Sequence, residues 1–370
     1  MAGLLADYGV TAVFGVPGGQ TLPLYYGILD EGNRIRHILM KDEIDATFAA
    51  DAYARISGGI RVCDATAGCG AIKFISGLAE AYNTSIPVIA IGSEMEGDWL
   101  AARYRGTGSQ VVDSKEVLKP VTKWQACLPH VNKMPELVQT AAQMAVSGRP
   151  GPVFIECPWR PFREEYTGPD YESNRKLASL PAHRPTPSRD EIDEVKEAKR
   201  PVMLLGGGAW RSGARAEITA LAERMAMPAA ASLTGKGVLP ENHPLSLGVV
   251  GSLGGNDVSR KMVEEADVIL AIGFKFSQNS TYGWTIPRKG QKEIRIDIDE
   301  TEMNKLHTTD VGLVGDAKAT LQLLLDRLDA QRDPTAVEKE IAKLYRAWRK
   351  KTGRRWRLTI VLLRRGSSPY

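Results

Sequence analysis

Short, nearly uninterrupted apolar runs alternate with stretches of helical periodicity along the whole chain. In the first half, runs at residues 11–16, 35–40, 60–65, 87–91 and 152–156 predict strands. Between them, stretches at 21–30, 43–56, 72–83 and 135–146 predict helices. Strands that lack polar alternation must be covered on both faces, as in parallel sheets flanked by helices. The pattern therefore predicts β–α–β units around a parallel sheet.

Near Pro158 the pattern breaks. Residues 158–188 hold six prolines among charged and polar residues, the composition of a surface-crossing linker. A second alternating series follows. Strands are predicted at 202–205, 229–233, 268–272 and 294–298, and helices at 190–197, 214–225, 257–264 and 317–328, with one more amphipathic helix at 335–350. The expected fold class is α/β, with two doubly wound parallel-sheet domains. They are expected at residues 1–160 and 189–332, with a linker at 161–188 and a tail at 333–370.

Composition narrows this only a little. At 370 residues, 43% hydrophobic and 25% charged, the chain has the make-up of a soluble globular protein. No apolar run is long enough to span a bilayer, and no signal-peptide pattern opens the sequence, so a cytoplasmic protein with no membrane partner is expected. Cys63, Cys69, Cys127 and Cys157 form no C-x-x-C pair and have no histidine at zinc spacing. They are read as reduced core thiols, and no metal site is expected. The nine basic residues from Arg346 onward, with no acid among them, exceed the net charge of +4 and leave residues 1–345 at −5. The cluster Arg354-Arg355-Trp356-Arg357 lacks any accompanying nucleic-acid module, so it reads as a charged terminus without a nucleic-acid partner.

The candidate chemistry begins at Lys41-Asp42-Glu43, where a strand turns into an alanine-rich helix. Glu43 is expected at a buried junction, where a carboxylate is costly without a partner. Phe14-Gly15-Val16-Pro17-Gly18-Gly19 and Ala65-Thr66-Ala67-Gly68-Cys69-Gly70 are glycine turns that follow the first and third strands. Glycines there allow close backbone approach, and helix N-termini offer free N–H groups. Both turns and Glu43 fall at the carboxyl ends of strands, the edge where open parallel sheets bind ligands. Leu204-Leu205-Gly206-Gly207-Gly208 satisfies neither the dinucleotide nor the P-loop pattern, because Arg211 and Ala214 stand at required positions; it reads as a tight turn. His37, His130, His183, His243 and His307 are scattered and read as structural or solvated. Asp51 and Arg55 suit an i,i+4 ion pair on a helix surface, and Asp297 and Asp299 a strand end.

Together these segments resemble the thiamine-diphosphate enzymes of the acetolactate synthase, pyruvate oxidase and benzoylformate decarboxylase type. The first-half match runs from Tyr8 to Gly19, from Asp42 to Arg55, from Thr66 to Ala71, and on through Gly77–Tyr82 and Ser85–Ile91. In the second half, segments at 201–208, 243–248, 266–273 and 296–299 resemble that family's Rossmann-like central domain. The resemblance implies that residues 1–160 are a pyrimidine-binding domain. It implies that Glu43 bonds N1′ of the cofactor's aminopyrimidine, favouring the imino form whose nitrogen removes the thiazolium proton. Pro17 and Gly18 would line the pyrimidine, Thr66 and Gly70 belong to the turn beside it, and Gln110 would face the reacting centre. The implied substrate is a 2-keto acid, undergoing decarboxylation or carboligation. A homodimer or higher assembly is implied, and FAD is a possible second cofactor in the central domain.

Several positions depart from the family pattern. Lys73 stands where asparagine is usual, and Cys69 where proline is common. The Gly-Asp-Gly motif of a third domain, which holds the diphosphate through Mg²⁺, is absent, and no Asp-Gly dipeptide occurs. Residues 358–363 read as an isolated strand-like run between basic clusters. These features lead to the expectation of a chain truncated or frame-shifted near residue 350, inactive alone unless a separate diphosphate-binding chain completes it. The alternatives are a non-catalytic FAD- or nucleotide-binding module and a truncated product without function.

Overall fold

In the computed structural model the chain divides into two compact units, Met1–His183 and Arg184–Tyr370. Residues 1–95, 110–168, 186, 198–328 and 331–366 are described, residues 353–366 as backbone alone. The first unit holds six strands, β1 (Ala12–Gly15), β2 (Arg36–Leu39), β3 (Arg61–Ala65), β4 (Val88–Glu94), β5 (Trp124–Cys127) and β6 (Val153–Pro158). They form one sheet in the order β2-β1-β3-β4-β6-β5, every pairing parallel.

The sequence pattern anticipates five of these strands. β5 escaped it because its residues are only half-buried and include Gln125, so it shows no continuous apolar run. The short opening helix Ala2–Asp7 was also missed, and the helix predicted at 72–83 is two helices, Cys69–Ile72 and Ile75–Thr84.

Two layers of helix bury the sheet. Leu5, Leu24, Ile28 and Val138 pack on one face, while Ala46, Ala50, Ala54, Phe74, Leu78 and Phe154 form a cluster on the other. The alanine-rich helix Glu43–Ser57 starts where it does because Asp42 accepts a hydrogen bond from the Ile44 amide at 2.8 Å. It stops at Gly58, whose φ of +72° is cheap only for glycine. Alanines at i, i+4 and i+8 let it lie close to the strands.

The strand order reverses around β1. β2 lies on one side of it and β3 on the other, so the crossovers diverge and leave a crevice between the carboxyl ends of β1 and β3. Gly15 pairs with Asp64 in register, next to that crevice.

The second unit repeats the plan with β7 (Pro201–Leu205), β8 (Ala229–Ala231), β9 (Ser246–Val249), β10 (Val268–Ile272), β11 (Lys292–Asp297) and β12 (Val311–Val314). Their order is β12-β11-β10-β7-β8-β9, again all parallel. The two strands the pattern missed, β9 and β12, are the sheet edges, each of four residues and interrupted by a glycine. The turn after β7 is tight, as its sequence suggested: a Cβ at Gly206 would sit 1.9 Å from the Gly273 carbonyl oxygen. Asp297 and Asp299 close β11, Asp297 accepting from the Asp299 amide at 3.1 Å. The helix predicted at 190–197 lies outside the described residues.

The tail corrects one expectation. Residues 358–363 are not a strand but continue a single helix, Thr335–Gly366. An unpaired strand would leave its backbone groups without ladder partners, whereas a helix satisfies its own. Arg200 meets Glu340 at 3.1 Å and Lys351 meets Asp257 at 2.7 Å, tying the first half of this helix to the second unit.

Phe154 of β6 is fully buried, and its ring fills the space beside Gly92, where a Cβ would come within 2.7 Å of it. Phe154→Ala is expected to lower the stability of the first unit by about 3–5 kcal/mol. Urea unfolding reads this, and a loss below about 1 kcal/mol would show that this face of the sheet is not packed through the ring.

Candidate functional site

The site is assembled by three turns at the carboxyl edge of β1, β2 and β3. The turn after β1 brings Gly18 against Thr66 of the turn after β3. A Cβ at Gly18 would lie 2.3 Å from Thr66 Cβ, so only glycine permits the contact. Thr66 Oγ1 donates to Gln20 Oε1 at 2.6 Å, and Thr21 Oγ1 bonds both ends of the Gly18 turn. The first and third turns are thus locked together by packing and by side-chain hydrogen bonds.

Glu43, the first residue of its helix, reaches between them. It is buried, at 7% exposure, as expected for a carboxyl at this junction. Its two oxygens face different surroundings. Oε2 accepts from Lys73 Nζ at 3.1 Å, and the same ammonium donates to Asp42 Oδ2 at 2.8 Å. Oε1 overlies Gly70, where a Cβ would stand 3.1 Å away, and it has no hydrogen-bond partner among the described residues. The bonds to Asp42 and then to Glu43 hold the Lys73 ammonium above its usual range, and the Lys73 bond holds the Asp42 carboxyl below its own.

The residues singled out from the sequence are brought together unevenly. Gly18, Thr66, Gly70 and Glu43 form one continuous surface. Pro17 is exposed at the rim of the first turn. Gln110 joins through its backbone: a Cβ at Gly68 would lie 1.6 Å from the Gln110 carbonyl oxygen, and Gln110 itself has φ +59°. The Gln110 side chain is exposed and makes no hydrogen bond to Glu43. Most of the loop before it, residues 96–109, lies outside the described residues.

Other expectations are corrected here. Cys69 is not a core thiol. It is exposed, because it opens the four-residue helix Cys69–Ile72 on the site's surface; Cys63 and Cys157 are buried and Cys127 is half-buried. The Asp51–Arg55 pair exists, with Arg55 Nε 2.7 Å from Asp51 Oδ2, but Asp51 is buried rather than on the surface. Arg55 also reaches Glu80 and Thr84, joining the helices Glu43–Ser57 and Ile75–Thr84. Among the described residues no three His, Cys, Asp or Glu side chains form a metal-binding group.

Sequence reasoning missed a second charged group beneath the first. Asp64, fully buried at the end of β3, accepts from the Tyr25 hydroxyl and lies 3.2 Å from His37 Nε2. The Tyr25 and His37 rings meet edge to face at 4.5 Å. An aspartate inside an otherwise strand-like run was the available signal. Gly15 is required beside it, since a Cβ there would lie 1.9 Å from Asp64 Oδ1.

The first 117 residues match the family model of the thiamine pyrophosphate enzymes' N-terminal TPP binding domain, and residues 190–324 match the model of their central domain. This chain belongs to the thiamine pyrophosphate enzymes. It is 37% identical over 332 residues to an acetolactate synthase of Arthrospira platensis, an alignment covering 87% of this chain and 56% of that protein. It is 33% identical over 328 residues to acetolactate synthase isozyme 1 large subunit of Escherichia coli, covering 88% and 57%. It is also 34% identical over 346 residues to a Pseudomonas aeruginosa protein named a probable 2-ketoarginine decarboxylase, covering 92% and 60%. The chain spans about half the length of the curated relatives it matches. Both α/β domains fit the family assignment, and no helix among the described residues is long and apolar enough to cross a membrane.

In this thiamine pyrophosphate enzyme chain, burial pushes the Asp64 carboxyl above the usual carboxylate range; the bonds to His37 and Tyr25 pull it down less strongly. The native state then binds the Asp64 proton more tightly than the unfolded chain does. Stability contributed at this position therefore falls as pH rises from the unfolded value, about 4, to the raised native one. Subtracting the stability of Asp64→Asn from that of the unsubstituted chain should give a difference that declines with pH across this window. A difference that grows with pH would show that the hydrogen bonds outweigh burial.

Proposed function

We propose that this chain supplies the aminopyrimidine-binding surface and central domain of a thiamine-diphosphate-dependent enzyme acting on 2-keto acids, by decarboxylation or carboligation. The single observation that carries the reading is Glu43 Oε1, a carboxyl oxygen of a buried residue that accepts no hydrogen bond from the described residues and is set over Gly70. A planar heteroaromatic ring with a nitrogen at its edge fits that combination. Gly18 and Gly70 keep the walls free of side chains, Thr66 and Gln20 hold the two turns in register, and Glu43 takes the hydrogen bond at the ring nitrogen. Pro17 would extend the wall at the rim, and Gln110 would meet the substrate side. When bound, thiamine diphosphate supplies the electron sink for cleavage next to a 2-keto carbonyl.

The protein's own residues orient the ring and exclude water from one of its edges. Holding the diphosphate and its Mg²⁺ falls to residues outside the matched domains, in a separate chain or in a further domain of a longer protein. Flavin absorbance of the purified protein would test whether the central domain also binds FAD.

A second copy is the assembly partner that the surface favours. The helices Glu43–Ser57 and Ile75–Thr84 expose Phe48, Ile56, Ile75 and Tyr82, at 42, 84, 39 and 44%. Glu43 begins the first of these helices, so a dimer through this layer sets the site beside the partner. Phe48→Glu should convert the dimer to monomer in sedimentation velocity; an unchanged sedimentation coefficient would move the interface elsewhere.

Cys69 offers a direct test, because it lies exposed between Gly68 and Gly70. Thiamine diphosphate with Mg²⁺ should slow its alkylation by N-ethylmaleimide several-fold, read by mass spectrometry of the Cys69 peptide, and Glu43→Gln should largely remove the protection. Equal alkylation rates with and without the cofactor would overturn the proposal. That result would favour a nucleotide-binding module or a product without function.

A further inference from the structure

The carboxylate at the centre of the site already has a ligand from within the chain. Lys73 Nζ lies 3.1 Å from Glu43 Oε2 and 2.8 Å from Asp42 Oδ2, so one ammonium bridges two carboxylates. It comes from the residue that closes the helix Cys69–Ile72, on the same turn that carries Gly70. Its backbone is fixed there, the Lys73 amide donating to the Gly70 carbonyl at 3.1 Å. The ammonium end is less fixed. The Lys73 side chain is 44% exposed, against 9% for Glu43, so it can leave for water while Glu43 cannot.

We propose that Lys73 is a displaceable counter-ion that competes with the thiamine ring for Glu43, setting how tightly this chain holds the aminopyrimidine. The inference rests on the reading of Glu43 given above and adds a residue to it. Glu43 can meet a ring nitrogen in two ways: as a carboxylate accepting from a protonated nitrogen, or as a carboxylic acid donating to a bare one. Lys73 opposes both. Its charge repels a protonated ring, and its bond to Oε2 holds the carboxyl toward the ammonium and away from a ring nitrogen. Binding therefore requires the ammonium to withdraw from Glu43, keeping Asp42 as its remaining partner. The site is self-satisfied without cofactor, which spares the fold a buried uncompensated carboxylate, and it gives up part of its affinity in exchange.

The test uses the full chain and three substitutions. Lys73→Met removes the competitor, Lys73→Arg keeps the charge, and Glu43→Gln removes the shared carboxylate. Calorimetric titration with thiamine diphosphate and Mg²⁺ should show Lys73→Met binding roughly five- to tenfold more tightly than the unsubstituted chain, with Lys73→Arg no tighter. In parallel, and without ligand, the ¹³C-dimethylated Lys73 ammonium should titrate at lower pH in Glu43→Gln than in the unsubstituted chain. Equal or weaker binding by Lys73→Met overturns the competition and leaves the Glu43 reading standing. A Lys73 titration unmoved by Glu43→Gln shows that the bridge does not form and overturns the proposal independently of any ligand. Absence of binding by every variant removes the thiamine reading, and the competition with it.

Discussion

A single contact underlies the site: two glycine turns pressed together at the ends of β1 and β3, with no side chain between Gly18 and Thr66. That contact leaves a narrow floor at Gly70, where the Glu43 carboxyl and the Thr66 methyl both approach closely. Burial makes the carboxylate expensive, and the surrounding charges follow from that cost. Lys73 meets one of its oxygens, Asp42 steadies Lys73, and the helix begins at Asp42 because its side chain caps Ile44. Local capping, the ion pair and the shape of the cleft are one arrangement rather than three.

Beneath this surface, Asp64 with Tyr25 and His37 extends polar contacts into the sheet. Two acids, Glu43 and Asp64, lie near one another, and the charge of Glu43 adds to the cost of ionising Asp64. Tyr25 and His37 answer Asp64 from the helix Leu22–Asp30 and from β2, so one helix and two strands contribute to holding charge below the cleft. Rigid positioning of this kind is what a ring-binding site needs if its hydrogen-bond geometry is to be fixed before the ligand arrives.

Much of this was legible in the sequence, for physical reasons that differ from element to element. Central strands such as β7 and β10 are buried on both faces and apolar throughout, and β3 and β4 are largely so, so they stand out. Edge strands β5, β9 and β12 face solvent on one side, tolerate glycine and glutamine, and carry no such run. Glu43 was legible because a carboxylate at a sheet-to-helix junction conflicts with its surroundings. Its partner was not, since Lys73 lies thirty residues away and only the fold brings the two together. The run at residues 358–363 was misread because β propensity there competes with a helix already propagating from Thr335.

The central claim is that Glu43 Oε1 is the atom that receives a thiamine ring at the Gly70 turn. A crystal structure of the chain grown with thiamine diphosphate and Mg²⁺ measures this directly. The account predicts a ring nitrogen about 2.7–3.2 Å from Glu43 Oε1, with the Lys73 ammonium drawn back toward Asp42. A ring bound elsewhere, or Glu43 still paired with Lys73 alone beside the occupied cleft, would contradict it.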